Sequence, residues 1–144
     1  MDDFLSLEGL LRDRLQEQVP GLRKVYSVDD LQGAQEQAQR TPAAHILYTG
    51  ATPVQERGDQ AVVQVEQTWT IIIAVRYVRD TSGARSDAGG ILQAVLEALQ
   101  GWRPSPEHSP LSMTRAPLRP DYGNGFAYFP VAFNARITIR SQEQ

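Results

Sequence analysis

Two histidines, His45 and His108, are the side chains of this sequence best suited to acid–base or metal chemistry near neutral pH. His45 lies between Ala44 and Ile46 in a β-prone stretch, which favours a buried structural histidine over a catalytic base. His108 lies in the segment SPEHSP at 105–110, a composition typical of an exposed loop. Neither histidine belongs to an HExxH or comparable metal-ligand spacing. A Ser-His-Asp triad stays open because triads are recognised by geometry, but no Gly-x-Ser-x-Gly elbow points to one.

Two further patterns could bind a ligand. Asp29 and Asp30 could hold a cation, but acidic residues here are typical of a helix N-terminus, where they stabilise free backbone N–H groups. Gly83, Gly89 and Gly90 could form a phosphate-binding loop, yet neither a lysine nor a GxGxxG spacing accompanies them. The chain has no cysteine, which excludes thiolate metal sites and thiol catalysis. We therefore assign no catalytic residue, no cofactor and no metal site.

The two tryptophans could stack on a ligand or on a partner protein. Trp69 lies on the apolar face of an alternating stretch, which predicts a place in the core. Trp102 follows a predicted helix end, where it either seals the core or anchors a partner.

Length and composition indicate one soluble domain spanning residues 1–144, with 41% hydrophobic and 22% charged residues. No apolar run approaches the roughly 20 residues that a membrane-spanning helix needs. The acidic start MDDF lacks the basic region of a signal peptide. Together with the absence of cysteine, this favours a cytoplasmic folding environment and no membrane partner.

The net charge of −3 and the pI of about 5.3 argue against a protein that grips nucleic acid through its surface charge. Arg76, Arg79 and Arg85 lie close together in the sequence, as do Arg115 and Arg119, but acidic residues balance them elsewhere. No sequence-specific nucleic-acid partner is expected.

The first predicted helix begins after Asp2-Asp3 and ends at Pro20-Gly21. Its apolar residues recur at three- and four-residue spacing and form one stripe: Phe4, Leu7, Leu11, Leu15 and Val19. Such a stripe predicts a helix that packs one face on a core.

Two more helices are predicted. The second opens at Ser27, with Asp30 at capping-box spacing, and ends at Thr41-Pro42. The third opens at Ser86 or Asp87 and places Gly101 at its C′ position.

Short strands are predicted at 22–28, 44–48 and 111–113, with a loop at 49–60 and a turn at 121–125. The strongest strand signal runs from Ala61 to Arg79, where apolar residues occupy odd positions except at Gln67. This run would span roughly 60 Å if straight, so it must bend, bulge or project beyond the body.

The chain closes with a second alternating stretch over 127–139, in which Pro130 predicts a bulge or an edge position. Two strands with one apolar face each imply a sheet covered on one side by helices. The fold class is therefore α+β: a largely antiparallel or mixed sheet, about three helices packed mainly on one face, and one long projecting strand or hairpin.

The sequence resembles the tail-terminator (tail-completion) proteins of long-tailed bacteriophages, most closely the Mu-like type. Four features spread over nearly the whole chain carry the resemblance. The first two are the N-terminal amphipathic helix before Pro20-Gly21 and the segment TPAA at 41–44, which leads into a strand. The third is QTW at 67–69 in a long strand that ends in VRYVR at 75–79, and the fourth is the third helix, which runs into ALQGWRP at 98–104 before Leu111 and the closing strands.

This resemblance implies a small structural protein that forms a homohexameric ring, caps the completed tail tube and joins it to the head. It implies as partners other copies of the chain, the tail tube protein and a head-completion or neck protein. DNA would pass through the lumen, and the protein would reside in the virion tail after assembly in the bacterial host cytoplasm. The family has no catalytic residues to carry over.

Six residues are expected at subunit or partner interfaces. They are exposed-type arginines and aromatic residues near predicted loops: Arg76, Arg79, Arg85, Trp102, Arg115 and Tyr122. The loops themselves are expected to order when partners bind.

Other classes of protein stay open at this point. A head–tail connector or neck protein would also form a ring without an active site. A non-phage adaptor or binding module would form no ring and would expose one apolar patch around Trp102 or the long strand. An unrecognised enzyme would require a deep pocket with convergent polar groups near His45 or Asp80.

Overall fold

The computed structural model describes residues 3–27, 38–56, 58–77 and 83–142, with the backbone alone at 55–56 and 83–87. In chain order the elements are α1 (Leu7–Gln18), β1 (Lys24–Ser27), β2 (Ala43–Glu56), β3 (Val62–Arg76), α2 (Gly83–Leu99), β4 (Ser112–Thr114), β5 (Asp121–Gly123) and β6 (Phe126–Arg140). The six strands form one mixed sheet in the order β1-β2-β3-β6-β4, with β5 also paired to β6. The α+β class with a mixed sheet is confirmed.

Helix α1 starts three to four residues later than the sequence predicts. Asp3 caps a preceding turn, since its Oδ1 accepts the backbone N–H of Leu5 at 2.8 Å. Leu7, Leu11 and Leu15 are fully buried, so the predicted stripe is the core-facing side of the helix. Phe4 is 37% exposed and lies outside the helix.

The predicted loop at 49–60 is wrong, because β2 continues to Glu56 and pairs with β3 almost to its end. Gly50 and Pro53 suggested a loop, but both lie beside register shifts in the ladder, between Tyr48 and Gly50 and between Pro53 and Gln55. Gly50 has φ +127, which a bulge can require and which only glycine adopts readily. Pairing with a long partner strand therefore outweighs local loop propensity.

β6 pairs with β3 from Phe126 to Arg140 without a register shift, so of the two alternatives predicted from Pro130 the bulge is absent and the edge position holds. On its other edge β6 pairs with β4 at 132–134 and with β5 at 126–128. Pro130 lies opposite the gap between these two short strands, where a residue without an N–H is tolerated. Asn124 and Gly125, at φ 56 and 87, form the tight turn of the β5–β6 hairpin.

Helix α2 begins at Gly83 rather than at Ser86 or Asp87, and Gly101 follows it at φ +78, as predicted for the C′ position. Two helices are described; the predicted second helix lies mostly outside the described residues, and 38–40 are not α-helical. Both described helices pack on one face of the sheet. The core between the layers contains apolar residues of α1, α2 and the facing strand positions: Leu7, Leu11, Leu15, Val95, Leu99, Trp69, Ile71, Ile73 and Phe133.

Away from this core lies a three-stranded end of the sheet, here called the distal sheet: 51–56 of β2, 62–67 of β3 and 135–140 of β6. Val62 to Glu66 are only half-buried, and Ala51 to Val54 are exposed. The long strands are thus partly uncovered at this end. Their projection beyond the body stays a prediction.

Candidate assembly surfaces

Large exposed apolar side chains among the described residues fall into two groups on separate parts of the sheet. The first group, the distal patch, lies on the N-terminal segment and on or beside the distal sheet: Phe4, Leu5, Tyr48, Val54 and Ile139. The second group, the edge patch, lies on the segment that carries β4 and β5: Met113, Leu118 and Tyr122. Phe4 and Tyr48 are in ring contact, and the other members are grouped by their position on the sheet. Contiguous exposed apolar surface marks sites of interaction.

Aromatic contacts fix the inner side of the distal patch. The Tyr48 ring packs edge-on against Trp69, with centroids 5.4 Å apart, and against Phe4 at 6.1 Å. Gln67 is fully buried beneath them; its Nε2 donates to the carbonyl oxygen of Phe4 at 2.6 Å, and its Oε1 accepts from Trp69 Nε1 at 3.2 Å. The single polar break in the alternating strand therefore attaches the N-terminal segment to the sheet.

The distal sheet has an apolar face on the helix side. Val63 pairs with Ile139 and Val65 with Ile137, so these four side chains share that face. Ile137 is only 2% exposed, whereas Ile139 is 39% exposed at the rim. The opposite face is polar, with Glu66 and Arg136 joined by an ion pair at 3.1 Å. One face of this end is thus suited to packing against protein and the other to water.

The outer edge of β2 is poorly suited to pairing with another strand. Among the described residues, β1 covers this edge only as far as Ile46. Beyond it, two register shifts and Pro53 interrupt the row of backbone donors and acceptors. Proteins protect exposed edges in this way against strand addition. A partner protein is therefore expected to pack on the apolar face of the distal sheet and not to pair with the edge of β2.

The edge patch is built on aromatic packing around β5. The Tyr122 ring lies 5.3 Å from Tyr77 and 5.9 Å from Phe129, edge-on to both, and yet is 48% exposed. Met113, on β4, pairs with Phe133 and is 53% exposed. An aromatic side chain that is held rigidly and is still half-exposed can contact a partner with little loss of conformational entropy.

Of the six predicted interface residues, those whose side chains the structure describes do not form one site. Tyr122 belongs to the edge patch, whereas Arg76 is exposed on the opposite face of the sheet, with its guanidinium 4.8 Å from the Phe126 ring centroid. Arg115 is exposed just after β4. Arg79 and the side chain of Arg85 lie outside the described residues. The distal patch was not among the predicted interface residues, although the period-two pattern of its strands was a signal for it.

Trp102 seals the core. It is half-buried and packs against the core cluster, with the guanidinium of Arg14 at 5.0 Å from its ring centroid. Arg14 is held there because its Nε donates to the carbonyl oxygen of Ala98 at 3.0 Å. Of the two interpretations left open for this tryptophan, the structure supports the first.

His45 is a buried structural histidine, as predicted. Its ring stacks on Tyr26 at 5.0 Å, and its Nε2 lies 2.9 Å from Gln39 Oε1, which can only accept a hydrogen bond. Nε2 therefore carries the hydrogen, and Nδ1 is left buried without a hydrogen-bond partner. Burial lowers the pKa of His45 to about 4.

Acid is expected to destabilise the protein through His45. The unfolded chain takes up a proton near pH 6.5 but the folded chain only near pH 4, so stability is full above 6.5 and falls as pH drops through this window. The loss from this one group amounts to at most about 3 kcal/mol. Urea unfolding at several pH values from 7 to 4 should show a steeper loss for the native chain than for His45→Gln. Equal pH slopes would contradict the assignment.

His108 is buried, only 1% exposed, and the prediction of an exposed loop residue is wrong. Ser105 Oγ lies 2.7 Å from its Nδ1, and Arg103 Nε donates to its carbonyl oxygen at 2.9 Å. Burial lowers the pKa of His108, while the charge of Glu107 raises it in part. These local bonds close the proline-rich segment into a compact loop against the core, which composition alone does not reveal.

In the described part of the chain, no three histidine or acidic side chains are grouped so that they could hold a metal ion. None of the described helices is long and apolar enough to cross a membrane. The features that stand out in the described part are exposed apolar surfaces suited to protein contact, which are typical of assembly components.

The chain belongs to the phage tail terminator protein family, whose family model matches residues 1–144. No curated protein matches it. The resemblance to tail terminators is confirmed, whereas the Mu-like type stays a prediction. The protein is a structural component of a phage tail and of virion assembly, and its partners include tail proteins.

Proposed function

We propose that this protein forms a hexameric ring that caps the tail tube, ends its elongation and joins the tail to the head. Family membership supports the tail role, and the two separate apolar patches support the ring. The tail tube protein and a head-completion or neck protein are the proposed partners. Assembly would take place in the host cytoplasm, with DNA passing through the lumen.

The proposed subunit contact is head-to-tail, with the distal patch of one copy against the edge patch of the next. Tyr122 lies on β5 beside the start of β6, and Ile139 lies near the end of β6, so these two members of the patches are at opposite ends of that strand. A ring with cyclic symmetry requires two unlike surfaces of this kind on every subunit. A two-fold dimer would instead use one patch on both copies.

Arg115 and Tyr122 are proposed as part of the edge-patch side of this contact, and Arg76 as an interface residue on the opposite face of the sheet. Arg76 and Arg115 are exposed. Their positive charges would fix how two subunits align across an otherwise apolar contact. Arg79 and Arg85 are proposed with them on sequence grounds alone. Trp102 would contribute only by supporting the core beneath.

Light scattering over a concentration series, with negative-stain images of the same sample, tests the ring. A ring has a mass of about 96 kDa, six times the 16.0 kDa chain, and shows a central hole. The same measurement is repeated on protein eluted from tail tubes. A monomer under both conditions would contradict the proposal.

A further inference from the structure

A cleft on the chain contains a concentration of positive charge, of which only Arg76 is among the proposed interface residues. It has a volume of about 450 Å³ and lies where the α1–β1 connection, the segment before β2 and the end of β3 meet. Its lining among the described residues has three guanidinium groups, an amide, a hydroxyl and two apolar side chains, and none of these is acidic: Arg23, Arg40, Arg76, Gln39, Thr41, Pro42 and Val75.

The backbone around the three arginines is fixed by hydrogen bonds. The N–H of Arg23 donates to the carbonyl oxygen of Pro42 at 2.7 Å, and the N–H of Arg40 donates to the Tyr26 hydroxyl at 2.9 Å. The guanidinium of Arg76 packs over the Phe126 ring at 4.8 Å. The backbone positions of Arg23 and Arg40 are thus fixed by the fold, and the Arg76 side chain is held by its ring contact.

The charge of the cleft is not neutralised within the described part of the chain. Neither Arg23, Arg40 nor Arg76 forms an ion pair with a described acidic residue. Lys24 adds a fourth positive charge nearby, with its Nζ 5.8 Å from the Tyr26 ring centroid. The chain as a whole carries −3, so the excess of cations among the described lining residues does not follow from composition.

We propose that the cleft binds a phosphate group. Planar guanidinium forks match the paired oxygens of a phosphate, and several of them around one cavity suit a tetrahedral oxyanion better than a single carboxylate. The polar groups of Gln39 and Thr41 can complete the donor set, although Gln39 already bonds His45 and Tyr128. The phosphate comes from either of two sources, a nucleic-acid backbone or a free phosphate, and both share this chemistry.

The test uses a cleft variant, Arg23→Gln with Arg40→Gln, and a charge-matched control, Arg119→Gln with Arg140→Gln. The control arginines are exposed and do not line the cleft. Arg76 is left unchanged because it is also a proposed interface residue, so ring formation and phosphate binding can fail independently. Circular dichroism confirms that both variants fold.

Two measurements distinguish the sources of the phosphate. Calorimetric titration measures the binding of inorganic phosphate, and fluorescence anisotropy measures the binding of a short DNA duplex. We expect the cleft variant to bind phosphate about tenfold more weakly or worse, and the control to bind as the native chain does. If the backbone is the source, the slope of log affinity against log salt concentration falls by about two for the cleft variant. Binding of phosphate without DNA also supports the site and assigns it to free phosphate.

Three results would overturn the proposal. The first is that neither inorganic phosphate nor the duplex binds to the native chain. The second is an equal loss of binding in the cleft and control variants, which would show an unspecific charge effect. The third is tighter binding of succinate than of phosphate, which would assign the cleft to carboxylates of a protein partner.

Discussion

Ile139→Glu and Tyr122→Glu should each give a folded protein that forms no ring, whereas an equimolar mixture of the two should form dimers. Ile139 lies in the distal patch and Tyr122 in the edge patch, both on exposed parts of their strands. A buried charge in a contact centre costs about 2 kcal/mol or more, roughly a 30-fold loss of affinity at every contact. In a head-to-tail ring, the mixture keeps one intact contact, between the edge patch of the first variant and the distal patch of the second.

The control for the distal patch is Thr138→Glu, which adds the same charge to the neighbouring, exposed residue on the polar face. It should assemble as the native chain does. Light scattering of each variant and of the mixture reports the masses. If Ile139→Glu alone blocked assembly and Tyr122→Glu had no effect, the contact would join two distal patches, and the head-to-tail arrangement would be wrong.

Trp69→Ala is expected to lower the free energy of unfolding by about 3–5 kcal/mol, the largest effect of any single change considered for this chain. The indole is 2% exposed in the core and contacts Tyr48. Its removal leaves a cavity and also leaves Gln67 Oε1 without the N–H that it accepts. Chemical denaturation followed by circular dichroism measures the change.

Trp69→Phe separates the two contributions, because it keeps most of the apolar volume and removes only the N–H group. Loss of the partner of a buried polar group costs about 1–3 kcal/mol. An equal effect of the alanine and phenylalanine variants would show that the hydrogen bond to Gln67, and not packing, dominates. A loss below about 1 kcal/mol for alanine would contradict the core assignment of Trp69.

Period-two alternation predicted β3 and β6 well, because one face of each strand is buried against α1 and α2 along most of its length. The same reasoning missed the second half of β2. There Gly50 and Pro53 indicate a loop, and only the partner strand β3 shows that they accommodate bulges in a ladder. A single sequence does not contain that information locally.

The surfaces were harder to predict than the elements. Tyr122 was expected at an interface, and its ring is half-exposed, but its contact with a partner stays a prediction. The cleft between Arg23, Arg40 and Arg76 was not predicted, since these residues lie far apart in the sequence and meet only through the fold. His108 shows the converse, because its loop composition conceals a buried ring held by Ser105.

The most direct test of the tail-terminator function is the length of tail tubes grown from the purified tube protein of the same phage, with and without this protein. Negative-stain images should show tubes that stop growing when the protein is added, each with a ring at one end. Tubes that reach the same lengths with bare ends, in the presence of folded protein, would contradict the account.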